Sequence, residues 1–273
     1  MTESEQAVEA RFAATVILLR DSPRGPEIFM MKRHVQSDFV GGAYVFPGGR
    51  VDPEDSEAEE LATGLDDLDA SRRLQIQHGG LAFFVAAIRE CFEEAGVLLA
   101  YGDDGELIRL EDPEKAAQVE ALRTRLNAGE ESFLDLAHSQ GWRLAVDRMH
   151  YWAHWITPEG QPKRYDTRFF LATAPPAQTA VHDDGELVDS AWVTPQEAIG
   201  KSERREWMVI FPTLRNLMSL TGFSSAAEAE EAGRRRGEVE TLQPRIIRRE
   251  GGIQAVLPGD PGWDNAEPET GRS

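Results

Sequence analysis

Blocks of apolar and polar positions divide the chain into recognisable elements. Arg11–Leu19 (RFAATVILL) is almost continuously apolar and predicts a buried strand. A Pro/Gly turn at Ser22–Pro26 leads into Glu27–Lys32, a second strand, so the pair predicts a hairpin. Phe39–Gly49 (FVGGAYVFPGG) sets four glycines and a proline around a short aromatic strand, where glycine allows close backbone approach. Leu81–Glu94 has helical periodicity: Phe84, Ile88, Cys91 and Ala95 recur at steps of three and four, and Gly96 supplies the stop. Residues 101–147 read as polar and mostly helical, with helices at Glu114–Leu126 and Glu131–Gln140. Strands resume at Tyr151–Ile156 and Tyr165–Ala174. After the loop Pro175–Gly185 another strand lies around Val188–Val193. Pro195–Gly200 and Arg204–Thr221 predict helices, the second interrupted or kinked at Pro212, and 224–236 a small charged one.

Three segments look different. Residues 1–10 are acidic and polar and predict disorder. Residues 56–78, within an acidic stretch with few large apolar residues, predict a surface excursion outside the sheet. The tail after about Pro258 is rich in Gly, Pro and Asp and predicts a loose end. Strands and helices mix without regular βαβ alternation, which implies an α+β fold with helices packed on a mixed sheet.

Composition narrows the function. Asp plus Glu number 48 against 29 Lys plus Arg, a net charge of −19. That disfavours nucleic acid as a partner and docking on anionic membranes, both of which need clustered cations. A phosphorylated small molecule can still bind where a metal ion or a few arginines reverse the sign locally. Cys91 is the sole cysteine, so neither an intrachain disulfide nor a cysteine zinc site is available. The start lacks a signal-peptide pattern, no apolar run reaches membrane-span length, and Gly271-Arg272-Ser273 is not a peroxisomal address. The expected location is the cytoplasm.

The candidate chemistry lies in Arg89-Glu90-Cys91-Phe92-Glu93-Glu94-Ala95-Gly96-Val97. On a helix Glu90, Glu93 and Glu94 share one face, while the apolar residues point the other way. Like charges so spaced cost roughly 0.2–0.5 kcal/mol per pair. Such a cluster is either a solvated acidic face or a set of hard oxygen ligands for Mg²⁺ or Mn²⁺.

Upstream, Phe46-Pro47-Gly48-Gly49-Arg50-Val51-Asp52-Pro53-Glu54-Asp55 places an acid six residues after Gly49. With that context the sequence resembles the Nudix hydrolases, whose box reads G-x5-E-x7-R-E-U-x-E-E-x-G-U with U apolar. Gly49 matches the first glycine and Asp55 stands at the first glutamate. Arg89, Glu90, Cys91, Glu93, Glu94, Gly96 and Val97 match the second half. Residues 56–88 occupy a stretch where the usual box has seven, an insertion of 26 residues. The split box, AIRECFEEAGVLL (Ala87–Leu99) and the segment Trp155–Leu171 look like the branch containing the peroxisomal coenzyme A diphosphatases of animals. The similarity spans about residues 11–215.

The resemblance implies a mixed sheet sandwiched between helices, with a helical insertion and C-terminal helices, and cleavage of a diphosphate. It divides the chain into a start over 1–10, a Nudix domain over 11–222 (insertion 56–78, helical segment 110–147) and a C-terminal helix with tail over 223–273. It implies Glu93 and Glu94 as main metal ligands, Glu90 as ligand or water-activating carboxylate, Arg89 as the orienting cation, and Gly48 as a backbone carbonyl donor. Glu186 resembles a loop glutamate that some Nudix enzymes place beside the metals, though it can equally be a loop acid. His182 is a weaker loop candidate.

Substrate contacts are sought at Lys32 and Arg33, and at Arg164 and Arg168, which alternate with Asp166 on one strand face; a salt-bridge ladder is the competing reading. Trp152, Trp155 and Phe169 could stack adenine or fill the core. The expected substrate is coenzyme A or an acyl-CoA. Nucleotide sugars, dinucleotides or oxidised nucleotides are the alternative, and a binding module without turnover is the alternative of another class. A homodimer is left open.

Overall fold

The computed structural model describes residues 8–35, 40–183, 187–249 and 252–265. Strand β1 (Arg11–Ser22) turns into β2 (Gly25–Arg33), the expected hairpin. Two short strands follow, β3 (Tyr44–Val45) on β2 and β4 (Gly48–Arg50) on β1. Helices α1 (Asp67–Leu74) and α2 (Gly80–Ala95) come next, then β5 (Ala100–Tyr101), α3 (Pro113–Asn127), α4 (Phe133–Ser139) and β6 (Arg143–Leu144). The chain returns to the sheet in β7 (His150–Ile156), β8 (Tyr165–Thr173) and β9 (Leu187–Val193). It continues through α5 (Pro195–Glu203), α6 (Phe211–Ser219), α7 (Ala226–Arg235) and β10 (Thr241–Leu242) to a hairpin of β11 (Arg245–Arg249) and β12 (Gly252–Val256).

The main sheet runs β10-β7-β8-β1-β2-β3, with β4 beside β1 and β9 beside β2. It is mixed: β1 runs parallel to β8 from Arg11↔Tyr165 to Leu19↔Thr173, while β1–β2, β7–β8 and β2–β9 are antiparallel. Alternation along β1 builds two cores. Ala14, Val16 and Leu18 face α2, and Ile17 and Leu19 face the layer of α5, α6 and α7. Phe84, Ile88 and Phe92 of α2 are fully buried on the first face, Phe84 meeting Phe170 at 4.5 Å. Each such side chain contributes about 1.5–3 kcal/mol by burial. The sandwich is the α+β arrangement the sequence implies. Among the described residues no helix is long and apolar enough to cross a membrane.

The insertion departs from expectation. It stays out of the sheet, but it is no surface excursion: Ala58, Leu61, Leu65, Ala70 and Leu74 are buried in the α2 core. Most of its sparse apolar residues turn inward, Leu68 being the exposed exception, which an average over the acidic composition conceals. It also caps α2. Asp67 accepts from the N–H groups of Gly79 and Leu81 at 3.0 Å each, and Ser71 Oγ accepts from Gly80 N at 2.9 Å. These groups satisfy helix-terminal donors that have no intrahelical partner, and the Asp67 carboxylate complements the positive end of the dipole.

Two other expectations change. Arg204–Ile210 is not helical: Pro212 lies in the first turn of α6, where its missing N–H costs nothing, rather than kinking a longer helix. The C-terminal part carries structure the sequence reading lacked. β10 adds to the sheet edge beside β7, and Trp263 packs on Ile247 and Val256 of the last hairpin. These strands are five residues or shorter, too brief for a clear pattern.

Candidate active site

The site forms where α2 passes the glycine turn. Gly96 takes a left-handed φ of 66° at the C-cap of α2, so the carboxylate row ends where the helix does. Asp55 sits in a 3₁₀ turn at Pro53–Glu57, 2% exposed. It receives Arg89 Nε on Oδ1 at 2.9 Å and Nη2 on Oδ2 at 3.0 Å, the bidentate fork that suits guanidinium and carboxylate. Nη2 also donates to the Arg50 carbonyl at 2.8 Å. Nη1 donates to Glu90 Oε1 at 2.9 Å and approaches Glu93 Oε2 at 3.3 Å; Asp52 lies 3.5 Å from Nη2. Asp55, at the sequence position of the first box acid, thus anchors Arg89 across the long insertion.

Glycine matters here for space. A Cβ on Gly49 would lie 2.4 Å from Glu90 Oε1, and Gly48 N–H donates to Glu94 Oε2 at 2.8 Å. The helix C-terminus is held from elsewhere. Arg123 on α3, 4% exposed, donates to the carbonyls of Glu93 (2.9 Å), Glu94 (3.0 Å) and Val181 (3.1 Å), and Asp183 N donates to Glu94 O at 3.1 Å. Arg123 escaped the sequence reading because α3 looked like a merely polar helix; an arginine among its apolar positions was the available signal.

One guanidinium therefore serves four carboxylates, with Glu94 alongside. The imbalance registers in the acids. Burial, then the charges of Glu93 and Asp55, outweigh Arg89 and push Glu90 up to about 7. Burial likewise raises Glu93 against the pull of Arg89. Excess negative charge on hard oxygens beside a backbone turn is what a divalent cation relieves, so the donor set fits one. Among the described residues no three carboxylate, imidazole or thiolate groups are gathered as a ready-made metal cage. Arg89 and the Gly48 N–H engage the glutamates instead. Cys91 faces the core, where burial pushes its thiol up; it takes no part.

Comparison with known proteins identifies the family. Residues 67–220 match the family model described as the NUDT19 Nudix domain. The chain belongs to the Nudix hydrolases. Among relatives of this Nudix chain, acyl-coenzyme A diphosphatase NUDT19 of Gallus gallus is 30% identical over 281 residues, covering 88% of this chain and 74% of the relative. The Homo sapiens protein of the same name is 28% identical over 272 residues, covering 86% and 72%. A crystal structure of a Nudix hydrolase from Alicyclobacillus acidocaldarius superposes with a TM-score of 0.66 at 24% identity, covering 82% of this chain and 96% of that one, a likeness of fold.

The remaining candidates of this Nudix chain scatter. Lys32 lies 5.9 Å from the Tyr44 ring centroid, and Arg33 follows it half-buried on β2. Arg164 is engaged with backbone carbonyls, Nε on Thr157 at 3.1 Å and Nη1 on Val8 at 2.8 Å. Arg168 is 3% exposed, bonded to Asp166 at 2.9 Å and lying 4.1 Å over Phe83. Asp166 also meets His154 Nε2 at 2.5 Å. That cluster has the form of a structural ladder. Trp152, Trp155 and Phe169 are buried in the core under α6. His182 Nδ1 lies 2.8 Å from Ser190 Oγ, and Glu186 lies outside the described residues.

Proposed function

We propose that this enzyme hydrolyses the diphosphate of coenzyme A or an acyl-CoA, giving 3′,5′-ADP and 4′-phosphopantetheine or its acyl form, with Mg²⁺ or Mn²⁺. The observation that carries the reading is the buried Arg89 fork, which collects Asp55, Glu90 and Glu93 on one side of α2. The names of the relatives support the substrate class.

Glu93 and Glu94 would hold the cation, with Glu90 and the Gly48 carbonyl completing its protein ligands. When bound, that cation neutralises the diphosphate and acidifies water. Arg89 holds Glu90 Oε1, which leaves Oε2 to accept a proton from the attacking water. Asp55 fixes Arg89 and so positions the row at one remove. Lys32 and Arg33 are proposed to meet substrate, and Glu186 to assist near the metals. Cys91 buried and reduced fits a cytoplasmic enzyme.

The deciding experiment offers the purified chain CoA, acetyl-CoA, ADP-ribose and a dinucleotide with Mg²⁺ or Mn²⁺ and identifies products by mass. Release of 3′,5′-ADP from CoA or its ester is expected. Far faster cleavage of ADP-ribose or the dinucleotide would overturn the substrate, and no cleavage of any would overturn the enzyme.

A further inference from the structure

A cavity opens on the opposite face of the sheet from the carboxylates, about 470 Å³ in volume. Its floor is β7, and its sides are α6 together with Arg236, Glu240, Leu242, Leu257 and Pro258. A bulge in β7 builds the floor. Trp152 is the extra residue between Tyr151↔Phe170 and Ala153↔Phe169, so Trp152 joins Ala153 and Trp155 on the same core face.

The polar groups in these walls are unbalanced in one direction. Trp155 Nε1 and Asn216 Nδ2 are buried donors with no acceptor, on residues 4% and 2% exposed. Arg215 and Arg236 also line the cavity, and among the described residues neither forms an ion pair. Arg236 instead lies 4.4 Å over the Trp152 ring, and Arg215 5.7 Å from that of Phe211. In a chain with net charge −19, two unpaired guanidiniums around one hollow are notable, because carboxylates are abundant elsewhere. Glu240 is the one carboxylate in the wall, and it is exposed. Buried N–H groups normally have partners, so Trp155 Nε1 and Asn216 Nδ2 leave the walls short of acceptors, and two guanidiniums stand there against one carboxylate. A phosphate monoester supplies acceptors and negative charge, and paired arginines match its oxygens.

We propose that this cavity is a phosphomonoester-binding site built on Arg215 and Arg236. Its phosphate belongs to a small molecule other than the substrate, because the 3′-phosphate of CoA is tethered close to its own diphosphate and cannot reach across the sheet from α2. The site therefore stands without the proposed function.

The test measures calorimetric binding of adenosine 3′,5′-bisphosphate, with adenosine as control, to the whole protein and to Arg215→Ala, Arg236→Ala and Arg236→Lys. The glutamates of α2 are left intact, and circular dichroism checks each fold. Binding to the wild type, at least tenfold weaker in both alanine variants and partly restored by lysine, is expected; adenosine should not bind. No binding to the wild type, or equal binding to a folded Arg236→Ala variant, would overturn the site. KM for CoA and for dephospho-CoA then tests the separation of the two sites. A rise confined to CoA in the alanine variants, with kcat unchanged, would overturn a ligand distinct from the substrate. An unchanged ratio together with lost bisphosphate binding makes the cavity an independent nucleotide site. If the wild type cleaves neither compound, the CoA reading falls while the binding result still decides the cavity.

Discussion

Arg89 grips Asp55 through two parallel hydrogen bonds, at 2.9 and 3.0 Å, although the two lie 34 positions apart in the chain. Everything the insertion adds to the box leaves and returns within that grip. Replacing Asp55 with Ala leaves a buried guanidinium short of its best partner. A loss of about 3–5 kcal/mol is expected in denaturant unfolding. Arg89→Lys keeps the charge but not the fork, and kcat/KM should fall by about 10–100-fold with the fold retained. Wild-type kinetics in Arg89→Lys would mean the fork positions nothing.

Glu93→Gln preserves shape and removes a charge from the proposed cation site. Activity should fall on the order of 100-fold or more in saturating Mg²⁺ and in saturating Mn²⁺, with an unchanged melting curve. Near-normal turnover would remove the mechanism proposed for α2.

Gly49→Ala tests space. The new methyl group would collide with Glu90 Oε1 at 2.4 Å, so the Glu90 side chain must shift. The expectation is a drop in kcat at nearly constant thermal stability, since Glu90 is only partly buried and can move outward. A kcat equal to wild type would show that the Glu90 position is not critical.

The insertion should behave as core. Leu61→Ala removes a side chain 6% exposed against α2, and about 2–4 kcal/mol should be lost. Asp67→Ala removes the cap on Gly79 and Leu81, for about 1 kcal/mol. Exchange of Glu57–Asp69 for a Gly/Ser linker removes both and should lower Tm sharply; an unchanged Tm would restore the segment to the surface.

Asp166 gives an acid-stability prediction. Burial works to raise its pKa, but the hydrogen bond with His154 and the charge of Arg168 outweigh it, and the carboxyl titrates below its usual value. The stabilisation is complete above the unfolded-chain value of about 3.9 and disappears as pH falls through the lower folded-state value. Thermal melts of Asp166→Asn and wild type should therefore differ most near neutral pH and converge below about pH 4. A constant gap down the acid limb would assign the effect to packing instead.

Much of this was legible in the chain because strong periodicity and strong chemistry coincide. Leu81–Glu94 is amphipathic enough to give α2 almost to the residue, and the box acids fall on it by counting. The β1–β2 hairpin follows from a Pro/Gly turn between apolar runs. What escaped depends on partners distant in sequence. Nothing local tells that Leu61 and Leu65 turn inward, that Asp67 caps a helix 12 residues on, or that Arg123 ends on the carbonyls of Glu93 and Glu94. Arg168 looked like a phosphate contact because charge is visible in sequence while Phe83 beneath it is not.

The Arg123 contact also bears on how variation in this protein would be interpreted. The glutamates of α2 own their side chains, but their peptide groups are fastened by a residue from another helix and by the loop ending at Asp183. A substitution at Arg123 alters no acid and no box position. It would still present as a faulty enzyme, because the last turn of α2 would lose its anchor while its chemistry stayed intact. A survey that graded variants only by whether the motif survives would score such a chain as sound.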